Sequence, residues 1–320
     1  MYKNKTVGVV IPAYNEETQI IGVLKGLPEY IDKIIVVNDN SSDNTSQKVN
    51  DYIADTGDSR VILIIHKKNQ GVGGAIATGY KEAVKLKLDA TAVMGGDGQM
   101  APEDLPALLD PVVEDRADYS KGNRLITGEA WEKIPKIRYL GNATLSLLTK
   151  IASGYWHIAD SQTGYTIINQ KALSLINIDK IYKRYGVPND ILIKLNIVNM
   201  RVVDVPIEPV YNIGEQSKMK IHKIMLPIII LLIKGFFSRL WEKFVIRDFH
   251  PLVFFYAAGL LLLPLGTLFG FYLIIIRIFG VSVAPTSALF SVFLTISGTQ
   301  FLLFAMWFDM EYNRILNGSR

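Results

Sequence analysis

Short apolar runs alternate with amphipathic segments over residues 1–215 of the 320-residue chain. The runs are rich in valine and isoleucine, as is typical of strands buried in a parallel sheet. The segments between them carry apolar residues at helical spacing. This alternation predicts an α/β domain with a mostly parallel, Rossmann-like sheet. The first strands are expected at residues 6–11, 33–38, 61–66 and 89–94, and the helices at 16–27, 43–53 and 74–86.

The pattern is less regular in the second half of this domain. It still favours alternating helices and strands, and we place the end of the domain at residue 215. Helices are expected at 102–113, 137–153 and near 190–198, and strands at 119–122, 163–169 and 201–205.

Two long stretches near the C-terminus, 251–276 and 281–308, contain no charged residue. Each exceeds the roughly 20 apolar residues that a helix needs to cross a bilayer. We therefore predict two transmembrane helices within residues 249–310, followed by a tail at 311–320. The alternative is a pair of buried core helices in a soluble protein. Small residues on the predicted spans permit helix association and a homo-oligomer, namely Gly259, Gly266 and Gly270.

The segment 216–248 joins the predicted domain to the predicted spans. Cations interrupt its apolar runs, and this composition suits basic amphipathic helices in the membrane interface, with the cations toward lipid headgroups. A third transmembrane span is the alternative, although Lys234 would fall near its middle. The interrupting cations are Lys234, Arg239, Lys243 and Arg247.

Charge asymmetry predicts the orientation of the chain. Seven Lys or Arg residues lie between Gln216 and Arg247, with Glu242 as the single acid. The short connection between the spans offers only Arg277. The positive-inside rule then predicts a multi-pass protein of the cell membrane with its large N-terminal domain in the cytoplasm. No apolar stretch follows the first residues, so we expect no signal peptide.

The ends of four consecutive predicted strands are polar or rich in glycine. Open α/β sheets bind ligands at the carboxyl ends of their strands. Each turn alone could be ordinary turn chemistry, but four in a row indicate a binding site. Asp97 lies on the turn 95–99, between glycines that let a ligand approach the backbone. The four turns are 12–17, 38–43, 69–74 and 95–99.

The glycine-rich turn 69–74 matches neither of the common phosphate-binding loops. No Gly-Lys-Ser/Thr follows it, and Ile76 stands where the dinucleotide fingerprint has its third glycine. Backbone amides at the start of the following helix could still face a phosphate or a ribose. The chain has no cysteine, which excludes disulfides and thiolate metal sites. We expect no nucleic-acid partner.

Taken in order, these motifs resemble those of family 2 glycosyltransferases with the GT-A fold. Gly122-Asn123-Arg124 and the turn 160–165 resemble later motifs of one branch, the dolichyl- or polyprenyl-phosphate hexose synthases. The resemblance covers roughly residues 5–220, and the paired spans resemble the anchors of that branch. The four earlier motifs are Pro12-Ala13-Tyr14-Asn15-Glu16, Asn38-Asp39-Asn40-Ser41-Ser42-Asp43, Asn69-x-Gly71-x-Gly73 and Gly96-Asp97-Gly98-Gln99.

The resemblance implies a site for a nucleotide sugar. Asp97 resembles the second carboxylate of the DxD motif, which holds a divalent metal on the donor diphosphate, and Gln99 resembles an auxiliary ligand. Mg²⁺ or Mn²⁺ suits such an oxygen-only site. The residues that resemble donor-binding positions are Pro12, Tyr14, Glu16, Asp39, Gly71, Gly73 and Asp97.

One position departs from the family pattern. Gly95 stands where the DxD motif has its first acid. The metal then relies more on Gln99, the diphosphate and water, or its affinity is weakened. Asp39 or Asp43 could compensate, and the alternative is an inactive protein.

The acceptor that the resemblance implies is a polyprenyl or dolichyl phosphate. Such a phosphate is largely ionised at neutral pH and needs cations rather than a strong base. The lysines before the spans could equally form a general headgroup-binding stripe. The candidate acceptor-binding residues are Arg124, Arg138, Ser217, Lys218 and Lys220.

Two further acids are candidate catalytic residues beside Asp97 and Arg124. Asp160 lies in the family-like turn and could position the acceptor or the sugar. Asp190 occupies the region where inverting members often carry a catalytic carboxylate. It would be the general base for a sugar hydroxyl, whereas with a phosphate acceptor it orients substrate or caps a helix.

The sequence therefore predicts a membrane-anchored glycosyltransferase that moves a hexose from a UDP- or GDP-sugar to polyprenyl phosphate, inverting and metal-dependent. The first alternative is a non-catalytic membrane subunit that binds a nucleotide sugar, and Gly95 motivates it. The second is a polysaccharide synthase. Two spans cannot easily enclose a polymer, and no tryptophan completes the Gln-x-x-Arg-Trp motif of those enzymes.

Overall fold

The computed structural model describes residues 1–125, 136–208 and 221–319, with side chains described from residues 143 and 225 onward in the second and third ranges. Seven strands lie in the first two of these ranges. They are β1 (Val7–Ala13), β2 (Lys33–Asn38), β3 (Val61–Ile65), β4 (Ala90–Val93), β5 (Tyr119–Asn123), β6 (Thr166–Asn169) and β7 (Val202–Pro206).

Helices follow most of the strands, as the pattern of apolar residues predicted. In the described ranges they are α1 (Ile20–Gly26), α2 (Thr45–Thr56), α3 (Val72–Lys85), α4 (Leu105–Val113), α5 (Lys136–Ser153), α6 (Gln170–Leu175), α7 (Val187–Ile197), α8 (Ile221–Trp241), α9 (Leu252–Ile278) and α10 (Pro285–Tyr312). Short 3₁₀ turns occur at Pro102–Asp104, Ile178–Lys180 and Asn313–Leu316, and a π-helix at Glu242–Arg247.

The seven strands form one sheet in the order β3-β2-β1-β4-β6-β5-β7. The pairs β1–β2, β1–β4, β2–β3 and β5–β7 are parallel, whereas β6 runs antiparallel to both of its neighbours. The prediction of a mostly parallel α/β sheet is therefore confirmed. Because the chain order reverses beside β1, the ends of β1 and β4 form a switch point where such sheets bind ligands.

Alternate residues of the central strands serve two separate cores. Val9 and Ile11 pack on one face of the sheet with α1 and α4, for example with Leu108. Val10 packs on the other face with residues of α3 and α7, among them Tyr80. Helices cover both faces of the sheet. This explains why the central strands are continuous apolar runs and do not alternate between apolar and polar residues.

The chain divides into two compact units, Met1–Phe237 with Ile315–Arg320, and Ser238–Arg314. In the first unit, α8 packs Ile228 and Leu232 against Ile193 of α7 and Ala152 of α5. Its other side exposes further apolar residues, and its place in a membrane interface stays a prediction. The exposed apolar residues are Met225, Leu226, Ile230, Ile233 and Phe237.

In the second unit, α9 and α10 are the two described helices that are long and apolar enough to cross a membrane. Their glycines are used in packing the two helices on each other. A Cβ at Gly266 would lie 2.5 Å from the backbone nitrogen of Thr295, and a Cβ at Gly259 would lie 2.6 Å from Leu302. These small residues therefore bring two helices of one chain together, and homo-oligomer formation stays a prediction.

Two cations that we expected at lipid headgroups are buried instead. The Arg239 guanidinium donates to both carboxylate oxygens of Asp309, at 2.7 and 2.9 Å, and both side chains are fully buried. Lys243 donates to Asn313 Oδ1 at 2.7 Å. A buried guanidinium requires such a partner. The expectation was wrong for these two because their partners come some 70 residues later.

The last residues return to the sheet of the first unit. Asn317 forms a parallel bridge with Val202 of β7, and Gly318 N–H donates to the Val202 carbonyl at 2.9 Å. Leu316 is buried in the core beside α3 and α7. The segment 311–320, expected as a tail, thus covers part of the edge strand of the sheet.

Candidate active site

A cavity of about 420 Å³ lies at the carboxyl ends of β1, β2 and β4. This volume is within the usual range of small-molecule sites. Residues from all four predicted turns line the cavity, so the topology brings distant motifs together. The predicted site residues that line it are Pro12, Tyr14, Glu16, Asp39, Gly71 and Asp97.

The turns after β1 and β2 are tied to each other. Asn15, in the left-handed region at φ 58°, donates from its N–H to Ser41 Oγ at 2.9 Å and accepts from Ser42 N–H at 2.9 Å. Glu16 N–H donates to Thr45 Oγ1 at 2.9 Å. Asparagine tolerates this backbone conformation better than most residues. These bonds hold Tyr14 and Glu16 at the mouth of the cavity.

Asp39 holds the glycine-rich turn in place. Its carboxylate accepts from Gln70 N–H at 2.8 Å and from Gly71 N–H at 2.7 Å, and it contacts His66 Nδ1 at 2.7 Å. Asp39 is buried but still borders the cavity. The structure therefore gives this carboxylate a positioning role that its motif alone did not reveal.

Asp43 does not face the cavity. Its carboxylate accepts from Thr45 N–H at 3.0 Å and from Glu17 N–H at 3.1 Å. Burial raises the pKa of Asp43, but a hydrogen bond from the Thr45 hydroxyl at 2.6 Å and these backbone bonds outweigh it, so the pKa lies below its usual range. With Asp43 so placed, it does not supply the acid that Gly95 lacks.

The glycine-rich turn packs against a second loop, residues 181–186. Gly73 N–H donates to the Lys183 carbonyl at 3.0 Å, and a Cβ at Gly73 would overlap the Tyr182 carbonyl oxygen. Gly71 adopts φ +85°, where a side chain is strained. The N–H groups of Gly71 and Gly73 are thus bound to protein, so these two amides do not face the phosphate or ribose that the sequence left possible.

Sequence reasoning missed this second loop, because no motif marks it. It brings Arg184 and Tyr185 to the cavity, together with Val187 and Pro188 at the start of α7. The available signal was the segment 185–190 at the start of α7, in which we singled out only Asp190.

Asp190 does not line the cavity but secures the second loop. Its Oδ2 accepts from Tyr182 N–H at 2.8 Å, and its Oδ1 pairs with Lys194. Asp190 is buried in the first turn of α7. The sequence left open a general base, a substrate-orienting residue or a helix cap, whereas these contacts orient the loop 181–186.

Asp97 stands on a tight turn that packs on the end of β1. Its Oδ1 accepts from Gln99 N–H at 3.1 Å, and Gly98 adopts φ +73°. A Cβ at Gly95 would lie 2.7 Å from Asp97 Oδ1. The Asp97 carboxylate, which ends a flexible side chain, thus occupies the space that a side chain at residue 95 would need in this orientation.

The residues at this turn fit a divalent cation such as Mg²⁺. Asp97 offers a carboxylate and Gln99 an amide, and the described residues contain no cluster of three or more His, Cys, Asp or Glu that could hold a metal. Mg²⁺ is commonly bound by one or two carboxylates, with substrate phosphates and water completing its shell. Asp97 and Gln99 supply two oxygen ligands, so the oxygens of a bound diphosphate are needed to complete the coordination of the cation.

Arg124 and Asp160 form an ion pair beyond the end of β5. Arg124 Nε lies 2.8 Å from Asp160 Oδ2, and Nη2 lies 3.2 Å from Oδ1. Burial raises the pKa of Asp160, but the charges of Arg124 and of buried Lys121 outweigh it, so the pKa lies below its usual range. The turn that begins at Asp160 continues into Gln162 and Gly164, which line the cavity.

The family of the chain follows from the sequence that builds this site. Residues 8–176 match the model of glycosyl transferase family 2. The chain belongs to this family. The prediction that it is a family 2 glycosyltransferase is confirmed.

Curated members of glycosyl transferase family 2 with known activities resemble the chain over most of their length. The UDP-N-acetylglucosamine–dolichyl-phosphate N-acetylglucosaminyltransferase of Methanococcus voltae is 33% identical over 65% of this chain and 87% of that protein. The undecaprenyl-phosphate mannosyltransferase of Micrococcus luteus is 30% identical over 66% and 84%.

A solved structure of similar fold is the glucosyl-3-phosphoglycerate synthase of Mycobacterium tuberculosis, determined with Mn²⁺, UDP and phosphoglyceric acid. It superposes with a TM-score of 0.54 at 16% identity, covering 74% of this chain and 78% of that one. Such a likeness concerns the fold, and it confirms the GT-A architecture of the family 2 domain.

Some predicted acceptor-binding residues of this family 2 protein lie outside what the structure describes. The backbone of Arg138 belongs to α5, but its side chain is not among the described ones. Ser217, Lys218 and Lys220 lie outside the described residues. Their roles stay predictions.

Proposed function

We propose that the protein transfers a sugar from a nucleoside-diphosphate donor to a polyprenyl or dolichyl phosphate. The observation that carries the proposal is the cavity at the switch point of a family 2 domain, where Asp97 stands among the donor-type residues Pro12, Tyr14 and Glu16. The named activities of the relatives supply the acceptor class.

A UDP-sugar, with N-acetylglucosamine as the first sugar to test, is the donor that we favour. The M. voltae relative acts on UDP-N-acetylglucosamine and is 33% identical. Tyr14 and Tyr185 expose their rings beside the cavity, and exposed rings offer faces on which a base can stack.

In the proposed reaction, a phosphate oxygen of the lipid attacks the anomeric carbon. The bond from that carbon to the donor diphosphate breaks, the configuration inverts and a nucleoside diphosphate leaves. The ionised phosphate needs no proton removed. Arg124, held through Nε and Nη2 by Asp160, keeps a fixed orientation in which its guanidinium can attract the acceptor phosphate.

Asp97 and Gln99 are the residues that would hold a divalent cation, Mg²⁺ or Mn²⁺. When bound, this cation neutralises negative charge that develops on the leaving diphosphate. The turn around Asp97 is pre-organised by the Gln99 N–H and by packing on Pro12 and Ala13, so little reorganisation is needed.

A bilayer crossed twice by α9 and α10 completes the proposal, with the catalytic unit on the cytoplasmic side. The apolar surfaces of both helices and their length support two crossings. The natural lack of cysteine makes this easy to test. Val281→Cys, on the connection between the helices, should react with a membrane-impermeant maleimide in intact cells, whereas Lys48→Cys should not. The reverse pattern would invert the orientation.

Transfer itself is tested with the purified full-length protein in detergent. Radiolabelled UDP-N-acetylglucosamine, UDP-glucose and GDP-mannose are each incubated with polyprenyl phosphate and Mg²⁺ or Mn²⁺, and label in the lipid phase is counted. Asp97→Ala should lower transfer roughly 100-fold or more. Asp55→Ala, which removes an exposed acid of α2, should leave it unchanged.

The alternative of a non-catalytic binding subunit predicts a different result. It expects nucleotide binding by the wild type without lipid labelling from any of the three donors. Gly95, in place of the first DxD acid, is the observation that keeps this alternative open. Labelling that persists in Asp97→Ala would contradict the role that we give to this carboxylate.

A further inference from the structure

The charges that line the cavity are unbalanced for an anionic ligand. Three lining residues are acids, Glu16, Asp39 and Asp97, whereas Arg184 is the single cation among the described residues that line it. A nucleoside diphosphate brings further negative charge into this space. One divalent cation does not balance the three lining acids and a diphosphate together, so a second cation is needed.

The glycine-rich turn does not provide this compensation through its first amides. Gly71 N–H donates to Asp39, and Gly73 N–H donates to the Lys183 carbonyl. A helix N-terminus attracts a phosphate mainly through such N–H groups. Since protein acceptors take these two, a side-chain cation has to do more at this site than in a phosphate loop with unbound amides.

The contacts between the glycine-rich turn and the loop 181–186 hold Arg184 beside Gly71. Its Cδ lies 3.0 Å from the position of a Cβ on Gly71, so the side chain passes directly over the turn. The loop backbone on either side is anchored, by Tyr182 N–H to Asp190 and by Val187 N–H to the Arg184 carbonyl at 3.1 Å. The guanidinium is exposed, and no described residue forms a hydrogen bond or ion pair with it.

We propose that Arg184 binds the diphosphate of the donor from above the Gly71 turn, opposite the Asp97 turn. The inference rests on the proposed function, because it assumes a nucleoside-diphosphate donor. The planar guanidinium can form two parallel hydrogen bonds with phosphate oxygens. Arg184 thereby shares with a cation at Asp97 the compensation of the negative charge on the diphosphate.

Isothermal titration of the full-length protein in detergent tests this role. UDP, GDP, uridine, guanosine and inorganic pyrophosphate are titrated with and without Mg²⁺. Arg184→Ala should weaken binding of the diphosphate about 10- to 100-fold, equivalent to about 1.4–2.8 kcal/mol, and leave the matching nucleoside unchanged. Arg184→Lys should fall between the two. The loss should be larger without Mg²⁺, since the two cations share one charge.

Lys183→Ala is the matched control, because Lys183 is the adjacent exposed cation but does not line the cavity. Its backbone carbonyl, which holds Gly73, remains. Lys183→Ala should bind the diphosphate like the wild type. Equal binding by Arg184→Ala and wild type, or an equal loss for the nucleoside, would overturn the inference while leaving the proposed function standing.

A wild type that binds neither UDP nor GDP contradicts the proposed function instead. In that case, the titration with pyrophosphate tests the anion-binding role of Arg184 independently of the donor. Binding of pyrophosphate that Arg184→Ala abolishes keeps the assignment of an anion site at this residue. Absent pyrophosphate binding, or binding that Arg184→Ala leaves intact, overturns it.

Discussion

At the scale of single residues, Gly95 leaves room for the present orientation of the Asp97 carboxylate. A Cβ at this position would lie 2.7 Å from Asp97 Oδ1. The backbone at Gly95 is not in the left-handed region, so the constraint comes from the neighbouring carboxylate and not from backbone strain. An acid at residue 95 and the present orientation of Asp97 exclude each other.

Gly95→Ala should therefore weaken metal binding without unfolding the protein. The added methyl group displaces the Asp97 carboxylate and its hydrogen bond from Gln99 N–H. We expect the Mn²⁺ affinity, measured by electron paramagnetic resonance in the presence of UDP, to fall roughly tenfold, about 1.4 kcal/mol. Gly22→Ala, where the new Cβ meets nothing within 4 Å, is the control. Unchanged Mn²⁺ affinity in Gly95→Ala would refute the steric account.

Asp160 is the residue on which the buried charges beyond β5 depend. It pairs with Arg124, and its carbonyl accepts from fully buried Lys121. Asp160→Asn should lower the free energy of unfolding by about 1.5–3 kcal/mol at pH 7, because the half-buried Arg124 loses its charged partner while Lys121 keeps the backbone carbonyl. Asp179→Asn, which breaks an exposed pair with Lys81, should cost less than about 1 kcal/mol.

The same substitution has a defined pH dependence. The pKa of Asp160 in the folded protein is lowered, so its stabilisation is complete above the unfolded value of about 3.9 and is lost as the pH falls through the lower folded pKa. The stability difference between wild type and Asp160→Asn should shrink in that acid range. Chemical denaturation between pH 7 and pH 3 measures it, and a difference that grows toward acid contradicts the pairing.

At the scale of elements, the glycine-rich turn and the loop 181–186 act as one unit. Gly73→Ala should disrupt it, because the new Cβ overlaps the Tyr182 carbonyl. Overpacking of this kind costs about 1–3 kcal/mol, and displacement of Arg184 should raise the Kd for UDP. Thermal unfolding and isothermal titration measure the two effects. Gly57→Ala probes a glycine in open space at φ +64° and should leave UDP binding unchanged.

The sequence predicted the strands and helices well, because buried parallel strands and amphipathic helices have distinct periodicities. Six of the seven candidate donor-binding residues line one cavity, since the ends of parallel strands meet at one edge, and their role in donor binding stays a prediction. The sequence did not predict that β6 runs antiparallel between β4 and β5, because periodicity carries no direction. Arg184 was missed because its position depends on a contact between loops more than 100 residues apart.

Long-range partners explain the other differences from expectation. We predicted that Arg239 and Lys243 bind lipid headgroups, because their partners Asp309 and Asn313 lie 70 residues further along the chain. The sequence does not indicate the bridge from Asn317 to Val202. The three residues Leu316–Gly318 are too few to show the alternation of apolar and polar residues that predicts a strand.

At the scale of the whole molecule, the chain leaves the catalytic unit after Phe237 and rejoins it at Ile315. Both ends of the apolar hairpin thus connect to the same unit. A chain that crosses a bilayer twice meets this condition, because two crossings return it to the side on which it began. The C-terminal residues after Ile315 pair with the edge strand β7 within this unit.

Leu316 is the residue by which this docking can be tested. It is 4% exposed in the core beside α3 and α7, whereas the preceding Ile315 is 78% exposed. Leu316→Asp places an unpaired charge in that core and should destabilise the catalytic unit by about 3 kcal/mol or more. Ile315→Asp, the same change one residue earlier, should alter stability by less than about 0.5 kcal/mol. Thermal unfolding in detergent compares them, and equal melting temperatures would show that the C-terminal segment contributes nothing to the sheet.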